Sequence, residues 1–227
     1  MSTLSNVDIT LEHAGNERVK NVDNPSGIIP DAINTRTGVS VSFVPHPDKQ
    51  WFVLRASYGR ALKAADVLTS DGTFTYTPMH TVKRKEAEKQ VFVREPLLPS
   101  LVFAYTTADQ AKNYVEGIRD MNYLTFYYDH FREVNGKNPP LVVDDHDMEV
   151  FIRATLPLNE HIRIVDDAHL RFKSDERVIV TDGIFKGVEG RVARIAGQQR
   201  VAVTVKGVCT VVTAYVPTAF LKKLETP

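Results

Sequence analysis

The chain has 227 residues, of which 43% are hydrophobic and 25% charged, and its 28 Lys and Arg balance 28 Asp and Glu. This composition predicts a globular protein of one large or two small domains, and it excludes an overall basicity that would indicate a nucleic-acid partner. The single cysteine, Cys209, excludes a disulfide framework and fits a reducing compartment. No apolar run approaches the roughly 20 residues that a membrane helix needs, and the N-terminus has no hydrophobic signal core. We therefore expect a soluble, cytoplasmic protein with no membrane partner.

Residues 1–49 contain many Asn, Asp, Gly, Ser and Pro and few aromatic residues. Such a segment has too little apolar surface to form a packed core of its own. The sequence predicts an N-terminal extension that is partly disordered, with short apolar runs at 27–29 and 39–44 as candidates for an added strand.

Residues 50–155 alternate between strand and helix patterns and predict an α+β sandwich. Trp51 begins an aromatic-rich strand, and Ala61, Ala64, Ala65 and Leu68 follow the spacing of one face of an amphipathic helix. The remaining predicted elements are strands at 73–79, 91–93, 101–105 and 123–128, a helix at 111–118, and a third helix that begins at Asp144 or Asp145. Residues 82–90 are highly charged and have no apolar face.

The C-terminal part is predicted to be a separate, all-β unit. Residues 156–173 are polar with little periodicity and predict a linker, and residues 174–227 predict a small five-stranded SH3-like β-barrel. Short strands with closely spaced glycines, and no room for a helix, favour such a closed barrel. The predicted strands are 177–181, 188–195, 200–206, 208–214 and 220–224.

The stretch VIVTDGIFKGVEG, Val178 to Gly190, places three glycines in eight residues. Glycine reaches positive φ without steric penalty, so Gly183, Gly187 and Gly190, with Phe185 between them, predict a strand, a tight turn and a second strand. By spacing and residue type the stretch resembles the KOW motif.

Together the two parts resemble the NusG family of transcription elongation and antitermination factors, which join an N-terminal NGN domain to a KOW domain. The segments QWFVLRA, REPLLPSLVFAY and DHDMEVFI are similar to parts of the NGN domain. The KOW stretch and the TAYVPTAFLKKL ending are most similar to the UpxY-type antiterminators of capsular polysaccharide operons. The sequence departs from the family pattern at Ser100-Leu101, usually Gly-Tyr, at Ile184, usually proline, and in the long extension.

The resemblance implies that the N-terminal domain binds the clamp region of RNA polymerase through an apolar patch. The candidate residues are Trp51, Leu98, Pro99, Leu101 and Phe103. Strand alternation offers another interpretation, because it places about half of such residues in the core whatever the function. For Phe103 the core interpretation is favoured.

Two groups of cations are candidates for contact with nascent RNA or non-template DNA, since Lys and Arg neutralise phosphates without reading sequence. Lys83, Arg84, Lys85 and Lys89 lie in the charged tract, and Arg191 and Arg194 lie on the predicted barrel. A solvated hairpin and exposed barrel arginines explain the same residues without a partner. The barrel is also expected to bind a second protein.

No motif indicates an enzyme, a cofactor or a metal. The run Asp144-Asp145-His146-Asp147 contains ligand-type residues, but consecutive residues do not converge on one ion, and helix capping explains the aspartates. The leading hypothesis is a polymerase-binding antiterminator. The alternatives are a KOW-type RNA-binding protein that acts on ribosomes or mRNA leaders without polymerase, a housekeeping NusG-like elongation factor, and an enzyme with its site in the α+β domain.

Overall fold

The computed structural model describes residues 32–33, 40–41, 45–86, 89–156, 162–165 and 171–224. Within the predicted extension, two short strands, β1 (Ala32–Ile33) and β2 (Ser40–Val41), pair antiparallel. The other residues before 45, for which partial disorder was predicted, lie outside the described residues.

The N-terminal domain is built on a five-stranded antiparallel sheet. Its strands are β3 (Gln50–Ala56), β4 (Phe74–Tyr76), β7 (Leu101–Thr106), β8 (Leu124–Phe126) and β9 (Val142–Val143). They run in the order β4-β7-β3-β8, and β9 also pairs with β3. The central strand β3 is QWFVLRA, in which β-branched and aromatic residues favour extended backbone.

Three helices cover this sheet. They are α1 (Ala61–Ser70), α2 (Ala108–Lys112, continued by a π-helical turn over Asn113–Gly117) and α3 (Asp145–Thr155). The apolar stripe predicted for α1 is buried at Ala61, Ala64 and Leu68. The mixed α+β fold predicted for this part of the chain is therefore confirmed.

The two faces of the sheet pack against different helices, because successive side chains of a strand point to opposite sides. Even-numbered residues of β3 and β7 face α1 and α2. The buried residues of that cluster include Phe52, Leu54, Val102, Ala104, Ala64, Leu68, Ala111 and Tyr114. Odd-numbered residues face α3, in a cluster that includes Trp51, Val53, Phe103, Tyr105, Met148, Phe151 and Ile152.

A separate two-stranded ribbon projects from the domain. Strands β5 (Met79–Glu86) and β6 (Lys89–Pro96) pair from Met79 opposite Pro96 to Glu86 opposite Lys89. Strand structure was expected only over 91–93 in this ribbon. None of its described side chains is fully buried, and the charged stretch 83–90 lacks the apolar alternation that predicts a half-buried strand.

The C-terminal part is a six-stranded antiparallel sheet. Its strands are β10 (Arg163–Val165), β11 (Arg171–Val180), β12 (Glu189–Ile195), β13 (Gln198–Val205), β14 (Cys209–Val212) and β15 (Leu221–Lys223), in the order β10-β14-β13-β12-β11-β15. The five predicted strands are all present. The predicted linker contributes β10 and the start of β11. Among the described residues no pairing joins β10 to β15, so the sheet is open and a closed barrel is not shown.

Helix α3 lies between the two sheets. On one side Phe151 packs against Phe103, with ring centroids 5.3 Å apart. On the other side Val150 and Asp147 line a groove of about 320 Å³ together with residues of β11, β12 and β13, and the Arg153 side chain lies beside Gly187. A single hydrophobic cluster therefore contains residues of both sheets and of α3.

Candidate binding surfaces

The segment between β6 and β7 carries two of the five candidate polymerase contacts. The Leu97 N–H donates to the Pro78 carbonyl at 2.8 Å, and the Leu101 N–H donates to the Leu98 carbonyl at 3.1 Å, which closes a tight turn. Leu98 is half-buried at this turn and Pro99 is exposed. The Pro99 carbonyl accepts from the Ala61 N–H at 3.2 Å, so the turn is held against the start of α1.

The other three candidates lie inside the domain. Trp51 and Phe103 have no exposed surface, and Leu101 is 8% exposed. The Trp51 ring packs between Phe74 and Tyr105, at centroid distances of 5.5 Å and 5.3 Å. These three side chains therefore belong to the core of the domain, and Leu98 and Pro99 are the two of the five candidates that are not buried.

The ribbon β5–β6 holds the first group of candidate cations, and all four are exposed. Strand alternation places Lys83 and Lys85 on one face and Arg84 on the other. Arg84 forms an ion pair with Glu95 at 2.5 Å. The Lys83 ammonium lies 5.4 Å from the centre of the Phe92 ring, which is directly opposite in the pairing and is 64% exposed.

Lys89 pairs in register with Glu86 next to the tip of the ribbon, where residues 87–88 are not described. The face that carries Lys83, Lys85 and Phe92 thus combines two cations with an exposed aromatic ring. This combination suits a phosphate backbone with unstacked bases.

The C-terminal sheet holds the second group. Arg191 lies opposite Arg177 on β11 and opposite Ala202 on β13, so Arg177 and Arg191 are on one face. Alternation places Arg194, three residues further along β12, on the opposite face. The two candidate arginines therefore do not form one surface.

A third arginine, Arg200, lies on the same face of the C-terminal sheet as Arg191. Arg200 lies opposite Ala193, and its guanidinium donates to the Thr213 carbonyl at 2.9 Å and to the Gln198 Oε1 at 3.1 Å. Partial burial lowers the pKa of Arg200, and the nearby positive charge of Arg163 lowers it further.

Glu189 partly neutralises the face of the sheet that carries Arg177 and Arg191, at the point where it meets α3. Glu189 accepts from Arg177 at 3.3 Å and lies 3.4 Å from the His146 Nε2. The groove between α3 and the sheet therefore contains paired charges of both signs.

The glycine-rich stretch forms the connection between β11 and β12. Gly183 and Gly187 have φ of 80° and 85°, a region that glycine enters without steric penalty. The Gly187 N–H donates to the Val180 carbonyl at 2.8 Å, and Phe185 is 4% exposed. Gly190 is needed for a different reason, because a Cβ there would overlap the Ala202 carbonyl of the neighbouring strand.

The acidic run at the start of α3 has a structural role in the described residues. Asp144 accepts from the His146 N–H at 2.9 Å, which is an N-cap. Burial raises the pKa of Asp145, and the charge of Asp144 adds to that rise. Among the described residues no three His, Cys, Asp or Glu side chains are grouped as metal ligands.

One cluster was not identified from the sequence. Arg60 and Lys63, at the start of α1, lie against the rings of Tyr58 and Tyr123. The sequence signal is the tetrapeptide Ser-Tyr-Gly-Arg directly before a helix with no capping residue. It is easily overlooked, because it contains no cluster of consecutive charges.

Residues 49–152 match the NusG family, described as transcription termination factor nusG. The match spans the N-terminal domain and covers less than half of the chain. It supports a NusG-like family for this domain and suggests a factor of transcription elongation or antitermination. No curated protein matches the chain. Within the described ranges, no helix is long and apolar enough to cross a membrane.

Proposed function

We propose that this protein is a NusG-like transcription antiterminator that acts by binding RNA polymerase, without catalysis or a cofactor. The observation that carries the proposal is the match of residues 49–152 to the NusG family. The C-terminal sheet, with its KOW-like turn at Gly183, Gly187 and Gly190, supports it because the NusG family has a KOW domain at this place.

The polymerase contact is proposed for the turn between β6 and β7. Leu98 and Pro99 would contact an apolar site on the clamp region of the polymerase, where removal of their apolar surface from water favours binding. Leu101, which directly follows the turn and is buried, would hold it in place, and Trp51 and Phe103 would contribute only through the stability of the core.

The nucleic-acid contact is proposed for the ribbon. Lys83, Arg84, Lys85 and Lys89 would run along non-template DNA or nascent RNA and neutralise its phosphates. Arg191 and Arg194, on opposite faces of the C-terminal sheet, would contribute separately, one to RNA and the other to a protein partner. We propose a polysaccharide biosynthesis operon as the target, because the C-terminal segments are similar to those of UpxY-type antiterminators.

The test is a pull-down of purified RNA polymerase by the whole chain. Leu98→Asp should reduce retention about tenfold or more, because a charge would be forced into a desolvated contact. Val67→Asp is the matched control, since Val67 is an aliphatic residue of the same domain with 37% of its surface exposed. Equal retention of the wild type and the folded Leu98→Asp variant would reject the proposed contact.

Transcription on a template with the leader of a polysaccharide operon then separates the remaining alternatives. An antiterminator should increase read-through on that leader and not on an unrelated one. Equal stimulation of both leaders would indicate a housekeeping elongation factor. RNA binding by the chain with no polymerase retention at all would indicate an RNA-binding protein of the KOW type.

A further inference from the structure

The groove between α3 and the C-terminal sheet has the dimensions of a small-ligand site. Its volume is about 320 Å³, and Asp147 and Val150 of α3 line it together with residues of β11, β12 and β13. Gly190 and Ala202 lie on the sheet side, and neither has a side chain beyond Cβ. A larger residue at 190 is excluded, because a Cβ there would overlap the Ala202 carbonyl. Small ligands commonly bind in spaces of this size between two parts of a protein.

Two arginines stand side by side on the sheet wall of the groove. Arg177 and Arg191 both line it and are directly opposite each other in the β11–β12 pairing. Like charges in such a pair repel, so this part of the wall favours an anion. A ligand carboxylate that spans both guanidinium groups accepts charge-assisted hydrogen bonds from each, which are stronger than those between neutral groups.

Two carboxylates lie on opposite walls of the same groove, Asp147 on α3 and Glu189 on β12. Glu189 uses only its Oε2, which accepts from Arg177 at 3.3 Å and lies 3.4 Å from the His146 Nε2. Within the described ranges, the Glu189 Oε1 and the Asp147 carboxylate have no hydrogen bond or ion pair. Ionised carboxylates only accept hydrogen bonds, so a ligand in the groove needs donor groups toward both walls.

The chemistry of the walls selects the kind of ligand. A simple anion would meet the two carboxylates, and a simple cation would meet the two arginines. An apolar ligand would remove four charged groups from water without replacing their hydrogen bonds. An amino acid has one donor group, the ammonium, whereas the acceptors lie on two walls. A ligand with one anionic group and several hydroxyl groups has a partner for each of these side chains.

We propose that this groove binds an acidic monosaccharide, a sugar whose single charge is a carboxylate. The carboxylate accepts from Arg177 and Arg191, hydroxyl groups donate to the Glu189 Oε1 and to Asp147, and carbon atoms of the ring lie toward Val150. The ligand contacts α3 and the C-terminal sheet together, so it stabilises their joined arrangement. The site is separate from the Leu98–Pro99 turn and from the ribbon, and binding does not depend on polymerase.

The test is isothermal titration calorimetry of the whole chain with D-galacturonate, without polymerase. D-Galactose, which has a hydroxymethyl group in place of the carboxylate, should bind at least about tenfold more weakly through loss of the charge-assisted hydrogen bonds. Arg191→Gln should remove most of the preference for galacturonate over galactose. Asp147→Ala should weaken galacturonate binding about fivefold through loss of a hydroxyl acceptor. Galacturonate should also raise the unfolding temperature of the wild type and not that of Arg191→Gln.

Matched controls exclude a general effect of charge. Arg132→Gln and Glu133→Gln each remove one exposed charge from the loop between β8 and β9, away from the residues that line the groove. Both variants should bind galacturonate as the wild type does. Circular dichroism spectra that match the wild type show that the groove variants are folded.

Any of four results would overturn the proposal. These are no binding of galacturonate at millimolar concentration, equal affinity for galactose, unchanged affinity in both groove variants, and an equal loss in Arg132→Gln and Arg191→Gln. Tighter binding of L-glutamate would also overturn it and would assign the groove to an amino acid. Polymerase retention is measured separately on the wild type. Sugar binding without polymerase retention supports the site and rejects the proposed function, whereas polymerase retention without sugar binding rejects only the site.

Discussion

Tyr76 and Thr155 connect the sheet to α3 through a buried chain of hydrogen bonds. The two hydroxyl oxygens are 2.6 Å apart, and the Thr155 hydroxyl donates to the Phe151 carbonyl at 2.7 Å. With its proton used in this way, Thr155 is the acceptor for Tyr76. Burial raises the pKa of Tyr76, so its hydroxyl stays protonated and able to donate.

This arrangement predicts unequal effects for the two single substitutions. Thr155→Val should destabilise by about 1–3 kcal/mol, because it leaves the buried Tyr76 hydroxyl without an acceptor. Tyr76→Phe should cost only about 1 kcal/mol, since Thr155 keeps its bond to the backbone. The double variant should be more stable than Thr155→Val alone. Urea unfolding of the three proteins tests this, and simple additivity of the two single effects would contradict it.

At the same scale, the sequence favoured a core position for Phe103 but left the exposure of Trp51, Leu98 and Leu101 open. Trp51, Leu98 and Phe103 are equally apolar in the sequence, yet only Leu98 reaches the surface. Alternation separates the two faces of a strand, but in β3 and β7 both faces are covered by helices. Exposure therefore depends on what packs above the sheet, which a local pattern does not contain.

At the scale of the elements, two glycines can be compared: Gly190 in β12 and Gly197 in the turn between β12 and β13. Gly197 has φ of 76° and no atom within 4 Å of an added Cβ, whereas a Cβ on Gly190 would overlap the backbone of β13. Gly197→Ala should cost about 1–3 kcal/mol from backbone strain alone.

Gly190→Ala should be more damaging, because the obstacle is a hydrogen-bonded strand that cannot move without breaking the β12–β13 pairing. We expect a loss of at least about 3 kcal/mol or failure of the C-terminal sheet to form. Thermal unfolding followed by circular dichroism compares the two variants. A smaller effect at Gly190 than at Gly197 would show that the sheet adjusts at that point.

The sequence pattern located the helices and strands that bury at least one face, and it missed most of the elements that do not. Helices α1 and α3 have apolar stripes in contact with the sheet and were predicted at nearly their observed positions. The ribbon β5–β6 has no fully buried side chain among its described residues, and β10 is only three residues long. Neither leaves a periodic signal. The π-helical turn at Asn113–Gly117 also continues an apolar stripe and cannot be distinguished from α-helix by that stripe.

At the scale of the whole molecule, α3 joins the two sheets. Met148, Phe151, Ile152 and Thr155 face the N-terminal sheet, and Asp147, Val150 and Arg153 lie toward the C-terminal sheet. The two parts were predicted as separate domains on a linker. Because the two parts share one hydrophobic cluster, we expect α3 to couple their stabilities.

Val150→Lys should weaken this coupling while leaving the Phe151 side of the helix intact. Val150 is 7% exposed, and a buried charge without a partner is strongly unfavourable. The wild type should unfold in one transition and the variant in two, as seen by calorimetry. A single transition in the Val150→Lys variant would contradict the coupling.

Because α3 packs against a sheet on each side, it also limits which chimeras with related proteins keep their function. Exchange of the C-terminal sheet for that of a related protein would leave Val150 and Arg153 facing a surface for which they were not selected. Functional chimeras should therefore be obtained only when the crossover point lies before α3, so that the helix and the sheet on its outer side are inherited together.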